Sequence, residues 1–76
     1  MDSKTPVNLQ DKLLNAVRKD HTPVTIFLTN GFQIKCTVTG FDSNVIMVLA
    51  GGAQEMIYKH AISTIVPQTP VDISVQ

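Results

Sequence analysis

The chain has almost nothing with which to cross-link itself. Cys36 is the only cysteine among 76 residues, so no internal disulfide can form. A lone thiol fits a reducing compartment. His21, His60 and Cys36 lack metal-ligand spacing, and a closed site would need carboxylates as well. Tryptophan is absent and Tyr58 is the one tyrosine, which leaves little material for an aromatic peptide-binding groove. No apolar run approaches the ~20 residues of a membrane span. Met1-Asp2-Ser3-Lys4-Thr5-Pro6 has no signal-peptide pattern. Net charge is also missing: six basic residues cancel six acidic ones. That argues against coating nucleic acid by bulk electrostatics, though not against local basic patches. No nucleophile elbow, phosphate loop or close carboxylate pair occurs. The expectation is a cytoplasmic, non-enzymatic chain with no cofactor, no membrane partner and no small-molecule substrate.

What is present suffices for one small domain. A domain of this size buries only about 60% of its unfolded surface. With disulfides and a structural metal set aside, self-association is the expected source of extra stability.

Residues 1–7 read as a loose arm containing Pro6. Asn8 has N-cap chemistry, with Asp11 three residues later. Leu9, Leu13, Ala16 and Val17 form an apolar stripe widened by Leu14, which predicts a helix of about three turns. Arg18 and Lys19 close its last turn, and Pro23 forbids continuation. The period then changes to two. Val24–Thr29 reads as a strand, Asn30-Gly31 as a hairpin turn, and Phe32 to Phe41 as a long strand with a bend or bulge at Gly40. Asp42-Ser43-Asn44 is a turn, in which Asp42 has the chemistry of an Asx cap. Val45–Leu49 reads as a buried strand, Ala50–Ala53 as a turn, Gln54–Tyr58 as the fourth strand and Ile62–Val66 as the fifth, ended by Pro67. The alternation of Phe32, Ile34, Cys36 and Val38 makes Cys36 a core residue. Residues 68–76 read as a disordered tail.

The predicted fold is mainly β with one N-terminal helix: a five-stranded, strongly bent antiparallel barrel. Its fourth and fifth strands have apolar, unprotected edges, a liability unless they pair. Head-to-tail pairing of such edges closes into a ring. Between these strands lies Tyr58-Lys59-His60. An aromatic ring, a cation and an imidazole in succession can stack on a base, neutralise a phosphate and bond a ribose or phosphate oxygen. This points to single-stranded RNA.

The helix, the Asn30-Gly31 hairpin, Gly40-Phe41-Asp42 and above all Tyr58-Lys59-His60-Ala61-Ile62-Ser63-Thr64 together resemble Hfq, the bacterial Sm-like RNA-binding family. The resemblance covers residues 8–67. It implies a homohexameric ring and an RNA chaperone that helps small regulatory RNAs pair with messenger RNAs. It also implies three RNA surfaces. At the pore, or proximal face, Gln10, Lys59 and His60 would line uridine pockets with Tyr58 behind them. Here the chain departs from the family: Ser43 and Asn44 stand where an aromatic stacking residue is usual two positions after the aspartate. On the distal face Phe27, Asn30, Gly31, Phe32, Gln33 and Ile34 would form adenine pockets with Gln54 and Thr64 nearby; Glu55 is the alternative to Gln54. On the rim Arg18 and Lys19 would act with Asn15 and Phe41.

Bland readings stand beside these. Tyr58 would serve equally as a barrel core aromatic. Arg18 and Lys19 would serve equally as cations at a helix C-terminus. Phe27 would serve as hairpin packing, whereas Phe32, beside a tight turn, is expected to be exposed. A different class of function, an SH3-like barrel that binds proteins, is disfavoured by the single tyrosine and absent tryptophan.

Overall fold

The computed structural model describes residues 9–73. The Asn8 cap, the arm over 1–7 and the last three residues lie outside them. Helix α1 (Leu9–Asp20) precedes five strands: β1 (Val24–Leu28), β2 (Gln33–Phe41), β3 (Val45–Ala50), β4 (Ala53–Tyr58) and β5 (Ile62–Pro67). A single 3-10 turn, Lys59–Ala61, joins β4 to β5. The strands form one antiparallel sheet in the order β4-β3-β2-β1-β5. No helix among the described residues is long and apolar enough to cross a membrane.

A twelve-residue helix is marginal alone in water. It is held by burial of Leu14 and Val17, both 0% exposed, each worth about 1.5–3 kcal/mol. The stripe is rotated from the expected one. Leu14 is at its centre and Leu9 is 51% exposed, because α1 lies against β2 with its 13–14–17 edge inward. The helix ends in a Schellman motif. Thr22 N–H donates to Val17 O (2.9 Å) and His21 N–H to Arg18 O (3.3 Å), with His21 left-handed at φ 54°.

The β1–β2 hairpin differs from a two-residue Asn-Gly turn. Phe27 pairs with Gln33 and Leu28 N–H donates to Phe32 O (2.8 Å), so the loop is Thr29-Asn30-Gly31. Gly31 N–H donates to Leu28 O (3.0 Å), and Gly31 alone takes positive φ, at 94°. This is the three-residue hairpin that closes on a left-handed glycine. The two-residue turn of that kind lies elsewhere. Ala50 pairs with Ala53, and Gly51 (φ 58°) and Gly52 (φ 84°) form the mirror-image turn between β3 and β4.

The bend expected at Gly40 is present. The β2–β3 register is Val38↔Val48 and then Gly40↔Met47, so Thr39 is the extra residue of a bulge. The bulge divides the sheet into two walls. Val24, Ile26, Cys36, Val38, Ile46, Val48 and Ile57 line the core between them with Leu14 and Val17. Cys36 is buried as expected. Burial, and secondarily the charge of Glu55, pushes its thiol pKa up to about 11. β3 is not buried on both faces as expected. Ile46 and Val48 are at 0% but Leu49 is 45% exposed, because β3 has the core on one side only. β4 pairs only with β3, and β5 only with β1. Both are therefore edges, with Met56 and Tyr58 on one and Val66 on the other exposed at 46–53%. Beyond β5, Gln68 N–H donates to Pro23 O (2.8 Å) and Val71 packs on the core.

A left-handed backbone costs a side chain with a Cβ about 1–2 kcal/mol. His21→Gly removes that cost and part of the gain returns as unfolded-chain entropy. The variant is expected to be more stable by about 1 kcal/mol, read as a raised urea midpoint at fixed protein concentration. A lowered midpoint would show that His21 makes side-chain contacts that outweigh the strain.

Candidate nucleic-acid interface

The corner between β4 and β5 is built mainly by backbone bonds. Asp42 Oδ1 accepts from the N–H groups of Asn44 (2.7 Å) and Val45 (2.9 Å), the expected Asx cap. This cap shapes the β2–β3 turn so that Asn44 O accepts the Lys59 N–H at 2.8 Å. On the other flank, Thr29 N–H donates to Ala61 O at 2.9 Å, which ties the corner to the β1–β2 loop.

The three side chains of the corner divide into two groups. Tyr58 pairs with Val45 across β3–β4, on the side away from Ile46 and Ile57. It is 53% exposed and stacks on His60, centroids 5.7 Å apart and planes at 26°. Tyr58 is therefore a surface aromatic and not a core one. Lys59 turns the other way. Its side chain is 11% exposed, with Nζ 2.8 Å from Asp11 Oδ1 and 5.4 Å from the centre of the Phe41 ring. Ser43 and Asn44 are exposed beside it. Gln10 is exposed on the first turn of α1 and lines a groove of about 260 Å³ with Leu13 and residues 62–65.

The distal candidates form a row and a loop. Phe27 pairs with Gln33 on one side and Thr64 on the other, so these three side chains share one face. Thr25, Lys35 and Val66 continue that face. Ile34 pairs with Ile26 and belongs to the opposite, core-side face, so it is not in the row. At the loop, Asn30 Oδ1 accepts from Phe32 N–H (3.0 Å), and Phe32 projects at 69% exposure. Gln54 lies opposite Leu49 on β4, at the other edge of the sheet from Thr64. Glu55 shares the face of Val48, and its charge reaches Cys36.

On α1, Arg18 Nη2 donates to Asn15 Oδ1 at 2.5 Å. Asn15 and Lys19 also line a groove of about 350 Å³ with Lys12, Asp72 and Ile73. Phe41, grouped with the rim by resemblance, is half-buried and lies beside Lys59. Two contributors were not visible in sequence as site residues. Asp11 read only as part of a helix cap, and 48 residues separate it from Lys59. Lys12 carried no signal in the sequence; its place in a groove with Asp72 depends on how the chain returns after β5.

Comparisons with known proteins agree with this geometry. The family model described as Hfq protein matches residues 9–72. The chain belongs to the Hfq family. The RNA-binding protein Hfq of Moorella thermoacetica is 58% identical over 71 residues, covering 93% of this chain and 84% of that protein. The RNA-binding protein Hfq of Carboxydothermus hydrogenoformans is 59% identical over 70 residues, covering 92% and 82%. A crystal structure of "the pleiotropic translational regulator, Hfq" superposes with a TM-score of 0.75 at 44% identity, covering 78% of this chain and 98% of that one. The Hfq match identifies the helix and bent five-stranded sheet as Sm-like.

The Asp42 cap has a pH signature. The N–H of Asn44, then that of Val45, holds its carboxyl below the ordinary range. A depressed carboxylate stabilises the fold above its unfolded pKa, about 3.9, and this contribution is lost as pH falls through the folded value. Asp42→Ala is expected to lower stability at neutral pH, with the deficit constant down to about pH 4 and shrinking below that. Urea titrations at several pH values measure it. A deficit that grows as the solution is acidified would contradict this assignment.

Proposed function

We propose that this chain is an RNA chaperone of the cytoplasm that binds single-stranded RNA and promotes pairing of small regulatory RNAs with messenger RNAs. The observation that carries the reading is the corner: Tyr58 and His60 stacked outward, Lys59 seated behind them, and an unpaired strand edge on either side. The relatives' name, RNA-binding protein, supports binding over catalysis.

The working form is a homohexameric ring. The β4 edge of one copy pairs with the β5 edge of the next, a head-to-tail contact that closes on itself. Six corners then surround one pore, which repeats the Tyr58-Lys59-His60 cluster six times about one axis. The same pairing would bring Gln54 of one copy toward Thr64 of another, although they stand at opposite edges of one sheet. Uridine-rich RNA occupies the pore face through Gln10, Lys59 and His60. Adenine-rich RNA occupies the Phe27, Gln33 and Thr64 row with the exposed Phe32. The rim, with Arg18 and Lys19 in each copy, contributes weakly to annealing.

Native mass and binding of oligo-U and oligo-A at two salt concentrations test the reading. A hexamer is expected, with Lys59→Ala abolishing oligo-U binding and sparing oligo-A binding. A monomer without RNA affinity would remove the proposal. A monomer that captures peptides would favour an SH3-like module instead. A second test concerns Asn44. A base stacked on an aromatic gains roughly 1–3 kcal/mol. Asn44→Phe is expected to tighten oligo-U binding about fivefold or more, by fluorescence anisotropy; unchanged affinity would sink the account of position 44.

A further inference from the structure

Two of the chain's three methionines stand side by side. Met47 and Met56 are register partners across β3–β4; Met1 lies outside the described residues. Partners directly opposite in an antiparallel pair put their side chains on one face, with Cβ atoms about 4.5–5.5 Å apart. That face is the outward one, because the neighbouring row, Ile46 with Ile57, belongs to the core. Leu49 and Tyr58, two residues further along their strands, continue it and are 45% and 53% exposed. On β2 the row begins with Gly40, which brings no side chain over Met47. At its other end stands Met56, 53% exposed on a strand that pairs only with β3.

A thioether is apolar and polarisable, and it suits a contact that must pack without exact shape. It is also oxidisable. Among the described residues Met56 is the most accessible sulfur. Cys36 is buried, and burial, with Glu55 second, pushes its thiol pKa up to about 11, so it holds little of the reactive thiolate. Pairing of the β4 edge with another copy sets a β5 side chain beside Met56 on the same face. A sulfoxide there brings a polar oxygen into a row of apolar groups.

We propose that Met56 is a redox modification site that gates assembly: a hydroperoxide converts its thioether to the sulfoxide on the free chain, and the sulfoxide opposes pairing of the β4 edge with a second copy. The sulfur lone pair attacks one oxygen of hydrogen peroxide, and the S–O bond forms as the O–O bond breaks. The other oxygen leaves as hydroxide and becomes water by taking the proton of the transferred hydroxyl. Sulfur loses two electrons and the peroxide gains two. The inference rests on the β4–β5 pairing proposed for the ring. Two properties follow. The assembled ring shields Met56, so oxidation acts on chains not yet assembled. The edge is restored by methionine sulfoxide reductases, one enzyme for each epimer. Met47, half-buried and one strand further from the edge, matters less.

The test uses the full chain and hydrogen peroxide. In the parent, peptide mass follows oxidation of the assembled chain and of the same chain diluted until native mass shows single copies. Met56 is expected to gain oxygen several-fold more slowly in the ring. Variants then carry Cys36→Ala, which removes the competing thiol. After oxidation of the dissociated chain and removal of the peroxide, Met47→Leu is expected to need about tenfold more chain, or beyond, to reach half-assembly, the effect of burying one unpaired polar group. Reduction by both reductases should reverse that shift. Met56→Leu, a swap close in volume, should assemble after treatment as it does before. The proposal is overturned if Met47→Leu bearing Met56 sulfoxide assembles at its untreated concentration, or if Met56→Leu shifts equally. It is also overturned if Met56 oxidises at one rate in the ring and in single copies. Failure of the ring reading looks different: the untreated parent is a monomer at every concentration.

Discussion

The bulge at Thr39 is the constraint on which the rest of this structure depends. A flat five-stranded sheet of this length would expose both faces of β3 and could not enclose Ile46 and Val48. One additional residue in β2 turns its second half away from β1 and creates two walls with a core between them. The same turn carries Phe41, Asp42 and Asn44 across to the end of β4. Without it, Asn44 O would not meet the Lys59 N–H, and Phe41 would not lie beside the ammonium. Fold and candidate site thus share one local irregularity.

Electrostatics in this domain is arranged by pairing. Six cations and six anions leave no net field to gather RNA. Among the described residues the most enclosed cation, Lys59, sits against Asp11, and Arg18 is oriented by Asn15. Apolar surface is arranged in the opposite way. Met56, Tyr58 and Val66 remain exposed along strands whose backbone groups lack one neighbour. The proposed homohexamer would cover that surface, and folding and assembly would then be coupled by mass action.

Much of this was legible in the sequence because it rests on local rules. The change of hydrophobic period at Pro23, the bend at Gly40 and the Asx chemistry of Asp42 are all found where those residues stand. Turn geometry was less legible. Asn30-Gly31 read as a hairpin, but the loop takes in Thr29, and the two-residue turn belongs to Gly51-Gly52. Loop length follows from strand register, which a dipeptide does not encode. The helix stripe centres on Leu14 because the docking angle on β2 is a tertiary property. Asp11 remained hidden for the same reason: its partner is remote in sequence and is brought close only by that docking.

The bond from Lys59 N–H to residue 44 ends on a main-chain carbonyl. Every amino acid offers that acceptor, and every one but proline also offers the N–H that Asp42 takes, so the corner keeps its shape whatever other side chain stands at position 44. On the proposed reading, in which position 44 faces a base, architecture and affinity are uncoupled there: an aromatic and an amide are interchangeable without repair of the scaffold, and the strength of base binding is set independently of folding.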